Sequence, residues 1–278
     1  MLTARTFLVR GLLAGLIAGV VTFGVAYVVG EPPVASAIAV EESNAGESVA
    51  APDAAVADHD HDAAAGEAAT EEHSHGDDEA VVSRATQSTW GLATATVVFG
   101  IALGGILGLL AAFAVGRLGR LSARASTALV AGIGFVAVYF VPFLKYPPNP
   151  PAVGDPNTIG DRTALYFTML AVSVVAAIAA VLLARRLTLT LGAWNAVLIS
   201  IAGYVVVVGL VGWLLPVFDE VPADFSADLL WQFRMASLTV QASLYLVTGL
   251  VLATMIGAVV KKSMQDRGTG QVLAGSSA

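Results

Sequence analysis

Residues 139–162 read Tyr-Phe-Val-Pro-Phe-Leu-Lys-Tyr-Pro-Pro-Asn-Pro-Pro-Ala-Val-Gly-Asp-Pro-Asn-Thr-Ile-Gly-Asp-Arg and hold six of the chain's eleven prolines. Proline fixes φ, lacks a backbone N–H and pushes the residue before it away from helical geometry. The part between Pro147 and Pro156 therefore predicts a stiff, ordered connection rather than a helix or a central strand. Three long apolar segments precede this stretch and three follow it.

The composition indicates a membrane protein. Of the 278 residues, 56% are hydrophobic and 13% are charged, whereas a soluble domain is about 25% charged. Because the chain has no cysteine, disulfides, thiolate metal sites and cysteine nucleophiles are excluded. No basic stripe indicates nucleic-acid binding, and no P-loop, His-Glu-x-x-His or nucleophile-elbow pattern indicates an enzyme.

Six segments are long and apolar enough to cross a hydrocarbon core as helices, which takes roughly 17–25 residues. None of them contains Asp, Glu, His, Lys or Arg. The chain is therefore predicted to be an all-α, multi-pass protein of the plasma membrane, with a single membrane domain over residues 1–278. The predicted spans are 11–29, 91–115, 126–144, 164–184, 194–215 and 235–260.

The distribution of charge predicts the orientation. One set of loops carries ten of the fourteen Lys and Arg residues and one acid, while the other carries four basic residues and twenty acids. The two faces come to +9 and −16, which sum to the net charge of −7. Since loops rich in Lys and Arg stay in the cytoplasm, both termini are predicted to lie inside. The alternative for the first span is a cleaved signal peptide, because Ala35-Ser36-Ala37 resembles a cleavage site.

Two predicted spans carry glycine at every fourth position. This spacing lets the backbones of two helices approach closely, so it predicts tight packing of the first two spans; a sliding contact in a transport cycle is the alternative. The glycines are Gly11, Gly15 and Gly19 in the first span and Gly100, Gly104 and Gly108 in the second.

Residues 41–79 are predicted to form a disordered external loop, since they contain no aromatic residue and no Lys or Arg. All four histidines of the chain lie here among acids. Imidazole suits Co, Ni, Cu and Zn, and short His-rich tracts bind metals; a solvated acidic linker is the alternative. The predicted ligands are Asp58, His59, Asp60, His61, Asp62, His73 and His75.

The other outer loops add a second group of acids. Asp155, Asp219, Glu220 and Asp224 could form a vestibule for a cation, or these acids could pair with arginines such as Arg162 and Arg234. The two interpretations stay open at this point. Ser226 is predicted to be the N-cap of a helix that leads into the last span.

The predicted spans offer few ligands for a divalent cation. Asn195 and Gln241 supply amide oxygens, and the other candidates are tyrosines, methionines and hydroxyls. Dehydrating a transition-metal ion without a carboxylate or an imidazole is costly. Either Asn195 and Gln241 line a path through the membrane, or a second subunit supplies ligands; each amide alone is explained more simply by a hydrogen bond between helices.

Six short strings along the chain carry a family resemblance. They are Gly30-Glu31-Pro32-Pro33, Gln87-Ser88-Thr89, residues 143–155, Gly192-Ala193-Trp194-Asn195, residues 219–224 and Trp231-Gln232-Phe233-Arg234. Together they resemble the CbtA family of predicted cobalt transporter subunits, over nearly all of the chain except the His-rich segment.

The resemblance implies a multi-helix permease subunit for cobalt, linked to cobalamin supply, with no permanently bound cofactor. It also implies a partner, the small single-span and His-containing CbtB. Ni²⁺ is the alternative cargo, because imidazole and carboxylate ligands serve both ions. The alternative functions are a non-conducting accessory or metal-collecting subunit and, with less support, a membrane enzyme that uses a metal in its outer loops.

Overall fold

The fold is helical throughout the described part of the chain. The computed structural model describes residues 3–50, 82–119 and 121–275, and the side chains of all of these except 45–50 and 266–275. Over these ranges it contains helices and no strand. The long helices are α1 (residues 4–50), α2 (Arg84–Ala114), α3 (Ala123–Lys145), α4 (Ile159–Leu214) and α5 (Ala227–Gly275).

Five helices of the described structure are long and apolar enough to cross a membrane, whereas the sequence predicts six spans. The difference lies in α4, which contains one residue of non-helical geometry, Gly192, with φ 75° and ψ 164°. The hydroxyls of Ser173 and Tyr204 are hydrogen-bonded at 2.8 Å across 31 residues, which a straight helix would hold about 46 Å apart. Helix α4 is therefore a hairpin, and its two arms contain the predicted spans 164–184 and 194–215.

Helix α1 packs against both α2 and α5. It runs antiparallel to α5, because Thr22 lies beside Ser243 and Gly30 beside Val240, and its Ala14 is fully buried. A Cβ on Gly15 would collide with the backbone of Gly100, and a Cβ on Gly104 would collide with the backbone of Gly11. The predicted close packing of the first two spans is thus confirmed.

Helices α3 and α5 complete a four-helix core. The rings of Phe135 and Tyr245 meet edge to face with their centroids 5.7 Å apart. The hairpin α4 packs on the α3 side of this core, where Val141, Met169 and Val208 form a smaller buried cluster. The molecule therefore consists of a four-helix core and a flanking hairpin.

Three helices contain π-helical turns, at Ala26–Gly30, Gln87–Gly91 and Phe135–Phe140. In α1 the turn directly precedes Pro32 and Pro33, which cannot donate to an α-helical ladder, and the helix nevertheless continues to Ala50. The predicted external loop begins at Glu41, whereas residues 41–50 belong to α1, because Ala and Glu favour helix. The rest of that loop, 51–79, lies outside the described residues.

The bundle has two chemically distinct ends. At the loop end lie residues 146–158 and 215–226, and Gly30 of α1 lies beside Val240 of α5 nearby. At the basic end, Arg124 lies across Gly257, and the helix termini there carry most of the Lys and Arg residues. For the side chains that the structure describes, the acidic and basic groups that the sequence assigns to different loops therefore also lie at different ends of the bundle.

Candidate functional site

Hydrogen bonds join the two loops of the loop end. Lys145 Nζ donates to the carbonyl oxygen of Leu215 at 2.8 Å. The Tyr146 hydroxyl donates to the carbonyl oxygen of Pro216 at 2.9 Å. The prolines of the first loop lack N–H groups, so side chains rather than a backbone ladder supply these donors. The predicted ordered connection is therefore fixed to the loop that follows α4.

The start of α5 is fixed to the same structure. Ser226 Oγ accepts a hydrogen bond from the Leu229 N–H at 3.4 Å, and the helix begins at the next residue, Ala227, so the predicted N-cap is confirmed. About two turns later, Arg234 Nη2 donates to Asn149 Oδ1 at 3.2 Å. This bond holds α5 against the proline-rich loop.

Glu220 is the acid that links the loops most closely. Its carboxylate accepts hydrogen bonds from the Thr158 hydroxyl and from the Asp155 N–H at 2.9 Å, and it pairs with Arg162 Nη1 at 3.2 Å. The hydrogen bond from Thr158, followed by that from Asp155, holds the pKa of Glu220 below its usual value. The structure therefore places this acid in an ion pair, as the alternative interpretation of the outer carboxylates predicts.

Asp155 forms a local cap. Its Oδ1 accepts from the N–H and the side-chain amide of Asn157, at 2.8 Å and 2.9 Å, which stabilises the short turn Pro156–Thr158. Beside it Gly154 has φ 132°, and a Cβ there would lie 3.0 Å from both terminal nitrogens of Arg162. Glycine thus gives the guanidinium room to reach Glu220.

The other predicted ligands are not brought to this cluster. Asp219 and Asp224 are exposed. Within the described residues no group of three or more His, Asp and Glu side chains could hold a metal ion. The predicted ligands of the His-rich segment lie outside the described residues: Asp58, His59, Asp60, His61, Asp62, His73 and His75.

Asn195 lies at the opposite end of the bundle. Its amide donates to the Leu191 carbonyl oxygen at 3.3 Å, and the side chain is exposed. About twenty helical residues separate it from the loop end, a distance of roughly 30 Å. Asn195 therefore cannot share one site with the acids of the loops.

A cavity of about 420 Å³ lies beneath the joined loops, between α3, α5 and the first arm of α4. We call it the junction cavity. Its charged lining is Lys145, Arg162, Arg234 and Glu220, so three cations face one carboxylate and the lining carries a net charge of +2. Three tyrosines also line it: Tyr139, Tyr146 and Tyr166.

Sequence reasoning did not bring these three cations together. Their positive charge could have identified them in the sequence, because only four basic residues occur on the predicted acidic face. The fourth, Arg84, pairs elsewhere, with Glu31 at 2.5 Å. The other three are rare cations on a face of twenty acids, but their convergence depends on tertiary contacts between α3, α4 and α5.

Towards the membrane interior the predicted spans carry hydroxyls rather than charged side chains. Tyr139 and Tyr166 both line the junction cavity, and the ring of Tyr245 lies 5.7 Å from that of Phe135 in α3. Tyr139 belongs to the π-helical turn of α3, and π turns often accompany functional sites. Tyr139 and Tyr166 are thus two of the predicted interior ligand candidates that the structure brings to one cavity.

The comparisons with known proteins give one match. No curated protein matches the chain. No solved structure matches it either. The family described as a probable cobalt transporter subunit matches residues 4–257, which is all of the five-helix bundle except the last part of α5. This chain belongs to that family, CbtA.

Proposed function

We propose that this chain is the membrane-embedded permease subunit of a complex that takes up a divalent transition metal, foremost Co²⁺, across the plasma membrane. The observation that carries the proposal is membership of the cobalt transporter family over residues 4–257. The five long apolar helices support it. The metal ion is cargo, and no resident cofactor is required.

In this proposal the chain crosses the membrane six times, because the hairpin α4 crosses twice. The first arm of α4 contains about 33 residues, or roughly 50 Å of helix, and the second about 22 residues, or roughly 33 Å. Each is long enough for a hydrocarbon core of about 30 Å. The basic end lies in the cytoplasm and the loop end outside, as the excess of Lys and Arg at one end supports.

The His-rich segment collects the cation outside. Both of its flanks belong to the loop end, since Glu31 of α1 and Arg84 of α2 form an ion pair at 2.5 Å. Asp219 and Asp224 are exposed at the same end, and a surface of one sign raises the local concentration of counter-ions. Asp155 and Glu220 belong to this acidic vestibule through the field they contribute, although their oxygens already have protein partners.

Passage through the membrane requires ligands that the described bundle does not supply as a charged group. A partner subunit with histidines, as CbtB would be, fills this need. In this proposal the amide oxygen of Asn195, whose side chain is exposed, receives or releases the ion at the basic end. The same ligand types accept Ni²⁺, so both ions belong in the test.

The test is uptake of radioactive Co²⁺ into sealed proteoliposomes that contain this chain alone, and then this chain with the single-span partner. We expect uptake with the partner present. Replacing the four histidines by alanine together with Asp219→Asn and Asp224→Asn should raise the Co²⁺ concentration needed for half-maximal uptake and leave the maximal rate unchanged, because collection acts through local concentration. Asp161→Asn, at an exposed acid near the start of α4, is the matched control.

If the combined variant needs the same Co²⁺ concentration for half-maximal uptake as the parent, the proposed collecting role is wrong. Absence of flux with and without the partner would instead favour a non-conducting accessory subunit. Flux from the chain alone would place the whole path in this bundle and direct attention to Gln241 and the tyrosines.

A further inference from the structure

We propose that the junction cavity is a binding site for an oxyanion, that is, for a carboxylate or phosphate group of a small molecule or a lipid headgroup. This inference concerns the loop end alone and stands whether or not the chain conducts a metal ion. It starts from the charge of the cavity, which is opposite in sign to that of the loops above it.

Two of the three cations of the cavity have no carboxylate partner among the described residues. Lys145 Nζ has a neutral carbonyl partner, that of Leu215, and Arg234 has a neutral amide partner, that of Asn149. Only Arg162 has a carboxylate, Glu220, at 3.2 Å. Two positive charges at the membrane boundary thus remain without a counter-charge in the described structure, and partly buried charges usually have one.

Two N–H donors of the same cavity also lack acceptors. The Nε atoms of Arg162 and Arg234 are buried, and neither has a hydrogen-bond partner within the described part of the chain. A guanidinium carries five donors in a fixed fork that matches two oxygens of a carboxylate or phosphate. The unused donors belong to two arginines that both line the cavity, so the protein supplies fewer acceptors there than donors, and guanidinium groups of this kind match a ligand with several oxygens.

The size and walls of the cavity agree with such a ligand. Its volume of about 420 Å³ lies within the range of small-molecule sites, roughly 300–1,000 Å³. The hydroxyl-bearing residues Tyr139, Tyr146 and Tyr166 line it and can donate further hydrogen bonds to oxygen. A bare divalent cation does not fit, because it would meet three cations and a single carboxylate that is already paired.

The test is binding of defined anions to the full chain in detergent micelles or nanodiscs, measured by calorimetry and by the shift in unfolding temperature. The soluble probes are citrate and inorganic phosphate, and the lipid probe is short-chain phosphatidylglycerol, with phosphatidylcholine as its uncharged counterpart. We expect at least one of the anionic probes to bind and to raise the unfolding temperature. Binding of citrate or phosphate assigns a soluble ligand, and binding of phosphatidylglycerol alone assigns a lipid headgroup.

Two variants locate the site. Arg234→Gln and Lys145→Gln each remove one uncompensated charge, and each should weaken binding about tenfold or more, since a hydrogen bond to a charged group contributes on the order of 1.5–3 kcal/mol. Arg84→Gln removes a loop-end arginine outside the cavity and should bind as the parent does. Lys145→Gln keeps the test valid if Arg234→Gln does not fold. Equal affinity in all three variants, or no binding of any anionic probe, would overturn the proposal.

Discussion

Glu220 shows how the structure chooses between two roles that the sequence leaves open. Its sequence neighbours are consistent with a cation vestibule and with pairing to arginines, and in the structure its oxygens are occupied by Thr158, Asp155 and Arg162. An acid that accepts two hydrogen bonds and pairs with arginine is stabilised in its ionised form. Glu220 therefore holds the loops together, and in the proposed function it acts only through its field.

We expect Glu220→Gln to lower the unfolding temperature at neutral pH. We also expect the unfolding temperature of this variant to decrease less than that of the parent as the pH is lowered. The pKa of Glu220 is held below its usual value by the Thr158 hydroxyl first and the Asp155 N–H second. The stabilisation is then fully present above the usual pKa and is lost as pH falls through the lowered value in the folded protein. Thermal unfolding of the detergent-solubilised chain across the acid range measures both effects.

Asp224→Asn is the control for this pH profile, because Asp224 is an exposed acid of the same loop. It should unfold like the parent at neutral pH. A Glu220→Gln profile that runs parallel to the parent's through the acid range would contradict the assigned role.

At the scale of the helices, glycine does two different things. In α1 and α2 it removes side chains so that two backbones can touch, as at Gly15 and Gly104. In α4 it supplies a conformation, since Gly192 has φ 75° and ψ 164°, a region that essentially only glycine occupies. The first use is steric and the second is conformational, so the two respond differently to the same substitution.

Gly15→Ala should destabilise the bundle by about 1–3 kcal/mol, the usual cost of overpacking, because its Cβ meets the backbone of Gly100. Gly24→Ala in the same helix is the matched control, since nothing lies within 4 Å of a Cβ there. We expect this control to be neutral or slightly stabilising, because alanine is the better helix former. Unfolding temperatures of the two variants in detergent decide the point, and equal values would exclude close α1–α2 packing.

Gly192→Ala should also destabilise the chain, by about 1–3 kcal/mol, although nothing lies within 4 Å of a Cβ at that position. The reason is the backbone conformation alone. Gly203→Ala, at a helical glycine with equally open surroundings, separates this effect from a general effect of alanine. If both variants unfold alike, the sharp turn of the hairpin is not needed for stability.

At the scale of the whole molecule, the difference in charge between the two ends predicts the orientation in the membrane. Because the chain has no cysteine, single cysteines can report it without background. We expect Glu42→Cys and Asp224→Cys to react with a membrane-impermeant maleimide in intact cells, and Thr190→Cys and Met264→Cys to react only after permeabilisation; all four positions are exposed. Labelling of Thr190→Cys in intact cells would contradict the double crossing of α4.

The sequence by itself determined that the chain is helical and membrane-embedded, where its apolar runs lie and which family it belongs to. The helical and membrane-embedded character is a local property, because a run of apolar residues must form a helix in hydrocarbon whatever lies beside it. The family is carried by short strings of neighbouring residues. The Gly-x-x-x-Gly spacing predicted the α1–α2 contact for the same reason, since the pattern on one helix carries its own packing rule. The cap at Ser226 was likewise predictable from neighbouring residues.

Only the tertiary structure decided what the charges at the loop end do. The partners of Glu220 lie 58 to 65 residues away along the chain, and Lys145, Arg162 and Arg234 come from three helices. No local pattern states which of twenty acids meets which of four cations, because that choice depends on how α3, α4 and α5 pack. The sequence therefore predicts one negative surface from the outer acids, whereas the folded structure also contains a cavity with a net positive lining beneath the loops.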